Sequence, residues 1–558
     1  MIQPLHPLYF KRYSMNKFLL IILAVCGTSL TGWAQRDTTK TQSIDITSSF
    51  KPVLRNAVKI NFSGSQLVAD TNRPVLGYTI PSQNIFYAYQ PITLKPLALV
   101  QDTNLYLGGR NFLKAGFGNY STPYVSAGLS FGDGRTSLFN LYGTYTGSKG
   151  TDIEFQDYSL LNIKGTGSYF TAKNEVYASA AVSQQNYYLY GYDHARFNYK
   201  KEDIRQQFQD ITISGGIRNT AVTPWRISYN PSIQLNFFTN KEKLSETTLQ
   251  FNAPVEKKFG DELTVMFAAK ADLTNYATKG LVPNNVKFAN NIVQVAPAFE
   301  YKTRLVKFHG GVAPTWSNGD FRLLPDIFAE VQLQEKVLMI QAGWVGRYIK
   351  NTYRNLSMIN PYLQTLRSQD NTQETEYYGG IKATVGKHFN FSAKAGVVNS
   401  KDMLFFINDT ATDEKSFVVR NEPTVSNFRV HGDVSYINQD KFTATAGVTF
   451  NGYTGMRVNN KAWHTIPMEF TSSLRWWAFD RLLLKGDFYF FNGGNYITKS
   501  GSRSLGGGTD LSAGAEFKIN KQFSAWANIN NILNDKYERW HNYAVYGLNA
   551  TAGILINF

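Results

Sequence analysis

The sequence of 558 residues holds a single cysteine, Cys26, and that one falls in an apolar leader. Without a second thiol there is no disulfide framework and no pair of thiolates for a metal or for redox chemistry. Long apolar runs are missing too. Beyond the leader no stretch reaches the roughly 20 residues that a membrane helix requires. Histidine is scarce, with 7 residues and no ligand spacing among them. There is no G-x-S-x-G elbow, no H-E-x-x-H pair and no Walker-type loop. The sequence therefore offers no catalytic or metal site and calls for no cofactor.

What is abundant is aromatic. Phe, Trp and Tyr make up 15% of the chain, with 39 Phe and 33 Tyr, while the mean hydropathy is mildly polar at -0.29. Apolar residues recur at every second position. In "LNATAGILINF", Leu548, Ala550, Ala552, Ile554, Ile556 and Phe558 share one face, and Asn549, Thr551, Gly553, Leu555 and Asn557 the other. "FTATAGVTF" (442–450), "LSAGAEFKI" (511–519) and "LTVMFAAKADL" (263–273) alternate in the same way. Period two puts the two sets on opposite faces of a β-strand.

Short polar turns separate these runs: "FGDGR" (131–135), "AKNE" (172–175), "NTAVTP" (219–224), "FGD" (259–261), "TR" (303–304), "QEK" (334–336), "KH" (387–388), "QDK" (439–441), "FDR" (479–481) and "NKQ" (520–522). Longer polar or glycine-rich stretches lie between them, so connections are expected to alternate short and long. Ten short turns join eleven pairs, which predicts 22 strands. A β-propeller also repeats at such intervals, but it packs four shorter strands into each and has no single long-loop side. The expected fold is all-β: a transmembrane antiparallel up-and-down barrel of 22 strands over 112–558, with short periplasmic turns and long extracellular loops.

The start of the chain agrees. From Met15, the expected true start, Lys17 precedes an apolar run from Phe18 to Val25 and the small-residue site Gly32-Trp33-Ala34. That layout predicts a signal peptide over 1–35, cleaved after Ala34 or Gln35, in preference to lipidation at Cys26. Basic residues outnumber acidic ones, 57 to 41, for a net charge of +16. An exported chain without a basic helix has no use for nucleic acid. Outer-membrane lipid, lipopolysaccharide headgroups or an anion-friendly lumen suit that charge. On the lumen face the candidates are Lys270 and Asp272, Lys485 and Asp487, and Glu516 and Lys518, opposite charges two apart that would guide a solute or simply hydrate the wall. "NDTATDEK" (408–415) reads as a solvated acidic loop, with calcium binding as its rival. "NYYLYGYDH" (186–194) reads as part of an aromatic girdle, with ring stacking as the rival.

Two stretches carry a resemblance to a known family. Thr551-x-Gly553-x-x-Ile556-x-Phe558 resembles the assembly signal that the outer-membrane insertion machinery reads on a last strand. "NINNILNDKY", Asn528 to Tyr537, resembles the Asn-Leu-x-Asn-x-x-Tyr element of TonB-dependent receptors, whose barrels also have 22 strands. The resemblance spans 112–558 and implies a Gram-negative outer-membrane location and passage of a solute, with TonB as a partner. The alternative is a non-transporting scaffold barrel in a secretion, assembly or nutrient-capture complex. The front departs from the family. Residues 36–111 are shorter than its plug domain, and Pro52, Pro74, Pro81, Pro91 and Pro96 forbid long helices and interior strands. Phe86, Tyr87 and Tyr89 argue against pure linker. The segment reads as a reduced plug, a periplasmic partner arm or a mostly disordered stretch, with "QSIDITSS" (42–49) a candidate TonB-pairing strand.

Overall fold

A computed structural model describes residues 111–279, 285–334, 337–438 and 441–558. The leader with Ala34 and Gln35, the front segment with its candidate TonB strand, and parts of the turns at 334–336 and 439–441 lie outside them. The described chain is a closed antiparallel barrel of 22 strands. Consecutive strands pair in order, from Phe112–Gly118 to Asn549–Asn557, and the first and last then pair with each other, Phe112 opposite Asn557 and Gly118 opposite Thr551. Closure leaves no strand edge unpaired, the condition for β-structure in hydrocarbon. The seventh strand is broken at Asn230-Pro231 into Ile227–Tyr229 and Ser232–Asn240, because proline has no N–H for the ladder, and both pieces pair with Leu244–Phe259.

All ten expected turns lie at one end, and the longest spans 220–226. The other end departs from simple alternation. Eight of its eleven connections are long, but 119–121, 241–243 and 318–319 are as tight as the turns opposite. Asn318 and Gly319 both take positive φ, 52° and 97°, the pairing that a two-residue hairpin demands. A polar stretch thus marks a connection without fixing its length.

Side chains divide as the pleat requires. Ile213, Phe251, Val265, Val293, Val397, Val434 and Val448 are exposed on the outer face, with Phe131, Tyr169, Phe259, Tyr301, Phe389, Phe479 and Phe517 close to the turns. That is an apolar band with an aromatic girdle, the outer surface of a membrane barrel. Ala446 stands beside outward Val434, while Thr445 faces inward and shares a hydrogen bond with Ser473 at 2.7 Å. The strands Phe389–Asn408 and Phe417–Asn438, of 20 and 22 residues, are the longest, and the loop-end tips of this hairpin bear buried Phe405, Phe406, Ile407 and Phe417.

Candidate functional site

The inner wall has two unlike halves. From the second to the ninth strand it is mostly hydroxyl and amide, joined side to side: Ser130 to Asn140 at 2.7 Å, Ser179 to Ser214 at 2.7 Å, Gln234 to Gln250 at 2.9 Å and Thr248 to Thr274 at 2.9 Å. From the tenth to the fifteenth it is ionic. Lys307 meets Glu300 at 3.0 Å, His309 meets Asp326 at 3.1 Å and Lys382 meets Glu330 at 3.1 Å. Arg347 pairs with Glu374 and, at 3.3 Å, with Glu376, whose other oxygen holds Lys394 at 2.8 Å. Lys394 also lies 3.7 Å from the centre of the Tyr378 ring. Each charge here has an opposite partner, which is what lets it stay out of bulk water.

The six charges singled out in the sequence do not converge. Lys270 and Asp272 lie on the ninth strand, on the face of Thr274 and Tyr276. Asp272 accepts Gln250 at 2.7 Å and binds Lys350 at 3.0 Å, a lysine from the loop end. Lys485 and Asp487 on the nineteenth strand, and Glu516 and Lys518 on the twentieth, occupy the opposite side; Lys518 sits 4.0 Å over the ring of Trp477. At the terminus, Thr551 is buried opposite Gly118, Ile556 pairs with Leu113, and the Phe558 N–H donates to the Asn111 carbonyl at 3.0 Å. Gly553 faces Gly116 across the closing seam, with Trp526 opposite on its other side. A Cβ at 553 would fall on the Ala115 carbonyl, and one at 116 on the Trp526 ring. The Asn-rich element forms a tight turn after the penultimate strand. Asn531 donates to the carbonyls of Asp535 at 2.8 Å and Tyr546 at 2.9 Å and so starts the last loop.

At the loop end, residues the sequence assigned to girdle and solvent meet in a dry core. Tyr187, Leu189, Tyr190 and Tyr192 are buried together with Tyr353, Tyr362, Leu363, Trp540, Tyr543 and Tyr546. They come from the loops at 189–204, 350–371 and 531–548 and from adjoining strand ends. The girdle assignment of 186–194 is thus corrected: three of its four tyrosines turn inward, because other loops offer them apolar partners that lipid would otherwise supply. Tyr362 and Tyr543 stack with ring centres 3.4 Å apart, and Tyr190 meets Tyr543 edge-on at 4.8 Å. The Tyr190 hydroxyl donates to the Ala544 carbonyl at 3.0 Å, and Tyr276, from the wall, donates to Leu366 at 3.1 Å. Helix α1, Tyr353–Ile359, lies in this lid; the Tyr353 N–H donates to Glu246 at 2.8 Å and Arg354 pairs with Asp210 at 2.7 Å. The acidic loop at 408–415 belongs to the lid too. Asp413 pairs with Lys415 and Tyr199, and Asp409 accepts Gln364 and Thr412, each at 2.9 Å. Among the described residues no three His, Cys, Asp or Glu side chains are placed to share a metal.

At one side of the lid lies a polar cluster the sequence did not announce. Arg539 descends from the hairpin of Glu538–Trp540 and Tyr543–Ala544. Its Nη1 donates to the His464 carbonyl at 2.8 Å and its guanidinium rests 4.5 Å from the Trp540 ring centre, while Nε has no partner. Burial lowers its pKa to about 10, so it stays cationic at neutral pH. His464 is buried between Phe417 and Trp540, donating Nδ1–H to the Phe406 carbonyl at 2.9 Å; burial pushes its pKa down to about 3. The clue was "KYERWHNYAVYG" (536–547), dense in aromatics for a solvated loop.

No protein-family model and no curated protein matches the chain. Solved structures do. The siderophore receptor PirA from Acinetobacter baumannii aligns with 80% of this chain and 80% of its own at 12% identity and a TM-score of 0.63. The FrpB iron transporter from Neisseria meningitidis aligns with 80% of this chain and 82% of its own at 11% identity and a TM-score of 0.64. The ferric enterobactin receptor PfeA from Pseudomonas aeruginosa aligns over 80% of both chains at 12% identity and a TM-score of 0.60. At such identities the likeness is one of fold. The described residues share the 22-stranded barrel fold of these receptors, and the aligned share equals that of residues 112–558.

Proposed function

We propose that this barrel passes a solute across the outer membrane and that the aromatic lid is its outer gate. The observation that carries the reading is the contrast within one end of the molecule: a hydrogen-bonded polar lumen is capped by loops that pack dry against one another. Water-filled walls and a removable cover are what a gated passage needs, and the fold is that of known receptors. In this reading the loop end faces outward, residues 36–111 act from the turn end as a reduced plug, and TonB supplies energy through 42–49.

The test is planar-bilayer conductance of the parent beside Tyr543→Ala, which removes the ring shared by Tyr190 and Tyr362 and costs the lid about 3–5 kcal/mol. Deleting 36–111 in both chains removes the second seal. The expected result is steady conductance from the shortened Tyr543→Ala chain and little from its shortened parent. One observation favours a scaffold instead: the lid is stitched to the wall by a parallel bridge between Leu363 and Phe417 and by Glu422, which accepts the amides of Arg457 and Asn459 at 2.7 and 2.8 Å. A chain that stays sealed in all four forms, and retains a partner protein from native membranes, would decide for the scaffold.

A further inference from the structure

Ion pairs recur inside this barrel, and among the described residues the guanidinium of Arg539 takes part in none of them. Arg218, Arg347 and Arg354 each meet a carboxylate within 3.3 Å. Among the described residues no carboxylate lies within 4.0 Å of Arg539, although it faces the lumen beneath the lid. The side chain as a whole is half-buried and its Nε is buried without a partner, so the guanidinium keeps donors free for the oxygen atoms of a ligand. Its planar fork is suited to one class of group, a two-oxygen anion held by parallel N–H bonds.

The surroundings narrow the class. Arg429 and His431 approach from the sixteenth strand, hydrogen-bonded to Asn451 and Thr449. Glu469, at the start of the strand Met468–Phe479, acts on Arg539 from beyond pairing distance, and its Oε2 is buried without a partner. A carboxylate at that spot repels a doubly charged phosphate more than a singly charged carboxylate, and it offers an acceptor for a hydroxyl donor. Trp540 supplies an apolar floor to one side of the fork.

We propose that Arg539 and Glu469 form a lumenal binding site, beneath the lid, for a monoanionic hydroxycarboxylate group of the solute. The guanidinium holds the carboxylate and Glu469 receives a hydroxyl. This deepens the transport reading and rests on it for the word solute, but binding is read without transport. The experiment follows the thermal unfolding of the purified full chain, in detergent, with gluconate, sorbitol or inorganic phosphate added at constant ionic strength. It is run in the parent and in Tyr543→Ala, so that a shut lid does not hide the site. Gluconate is expected to raise the midpoint saturably, phosphate less and sorbitol not at all. Arg539→Met, which keeps the stem over Trp540, should weaken gluconate about tenfold or more. Arg539→Lys, which keeps charge but not the fork, should weaken it less. Gluconate without effect in both backgrounds, phosphate equal to it, or an Arg539→Lys chain that binds as tightly as the parent would each overturn the proposal. Should Arg539→Met fail to reach the heat-modifiable folded form, the lysine variant decides. Conductance through the opened lid with no gluconate binding would sink this site and leave the passage standing.

Discussion

The wall and the lid solve opposite problems with the same residue types. In the wall, Phe, Tyr and Val point outward because the surroundings are hydrocarbon, and polar groups turn inward and satisfy one another across strands. In the lid the surroundings are water, so Tyr190, Tyr362, Trp540 and Tyr543 bury against each other and leave the charges of 193–203 outside. Wall stability is spread over backbone ladders that closure makes mutually dependent. Lid stability is concentrated in a few rings and backbone carbonyls, which is the distribution expected of a part that opens. In the proposed reading the wall is a permanent seal against lipid and the lid a removable one against solvent.

The comparison breaks most severely at the closing seam. Gly553→Val puts a branched side chain where the Ala115 carbonyl already lies, so the last strand cannot pair with the first. The expected outcome is loss of the heat-modifiable form on unheated gels, while export is unaffected. A folded Gly553→Val barrel would show that the seam has slack. This seam also gives the terminal motif a structural purpose beside its proposed recognition by the insertion machinery.

The division of faces comes next. Ala446→Arg places a cation against lipid and should cost about 2–4 kcal/mol near the midplane. Thr445→Arg, one residue away, turns into the lumen and should change unfolding in urea by well under half as much. Equal effects would mean a register one residue out.

The smallest effect sharpens the lid alone. His464 is held neutral, with its pKa lowered by burial to about 3. Once the lid opens, its pKa returns toward about 6.5. A group depressed in the folded state stabilises it above the open-state value and loses that contribution as pH falls. Lid stability should therefore decline below about pH 6.5, by about 2 kcal/mol at pH 5, and go on declining toward about pH 3. Hydrogen exchange at 455–467 and 531–548 should quicken with acid while the wall strands stay protected. In His464→Phe the acid sensitivity should shrink.

The strand count, the two faces and the closing strand were legible in the sequence, because each follows from a period-two pattern acting over a few neighbouring residues. Thr443, Thr445 and Thr449 against Ala446, Val448 and Phe450 state their environment without reference to any other part of the chain. The lid could not be read that way. Whether Tyr190 meets lipid, water or Tyr543 depends on residues some 350 positions away, and nothing local distinguishes these outcomes. Candidate charges suffered the same limit: alternation put Asp272 on the inner face, but its binding of Lys350 rather than a solute is a matter of which loop folds over it. Arg539 looked like one more basic loop residue, and only the folding of the last loop set it against Trp540 with no carboxylate in pairing distance. Local patterning decides which face a side chain takes, since the pleat and the solvent act residue by residue. What that side chain touches is decided by closure of the barrel and convergence of its loops, which bring together parts of the chain that sequence keeps apart.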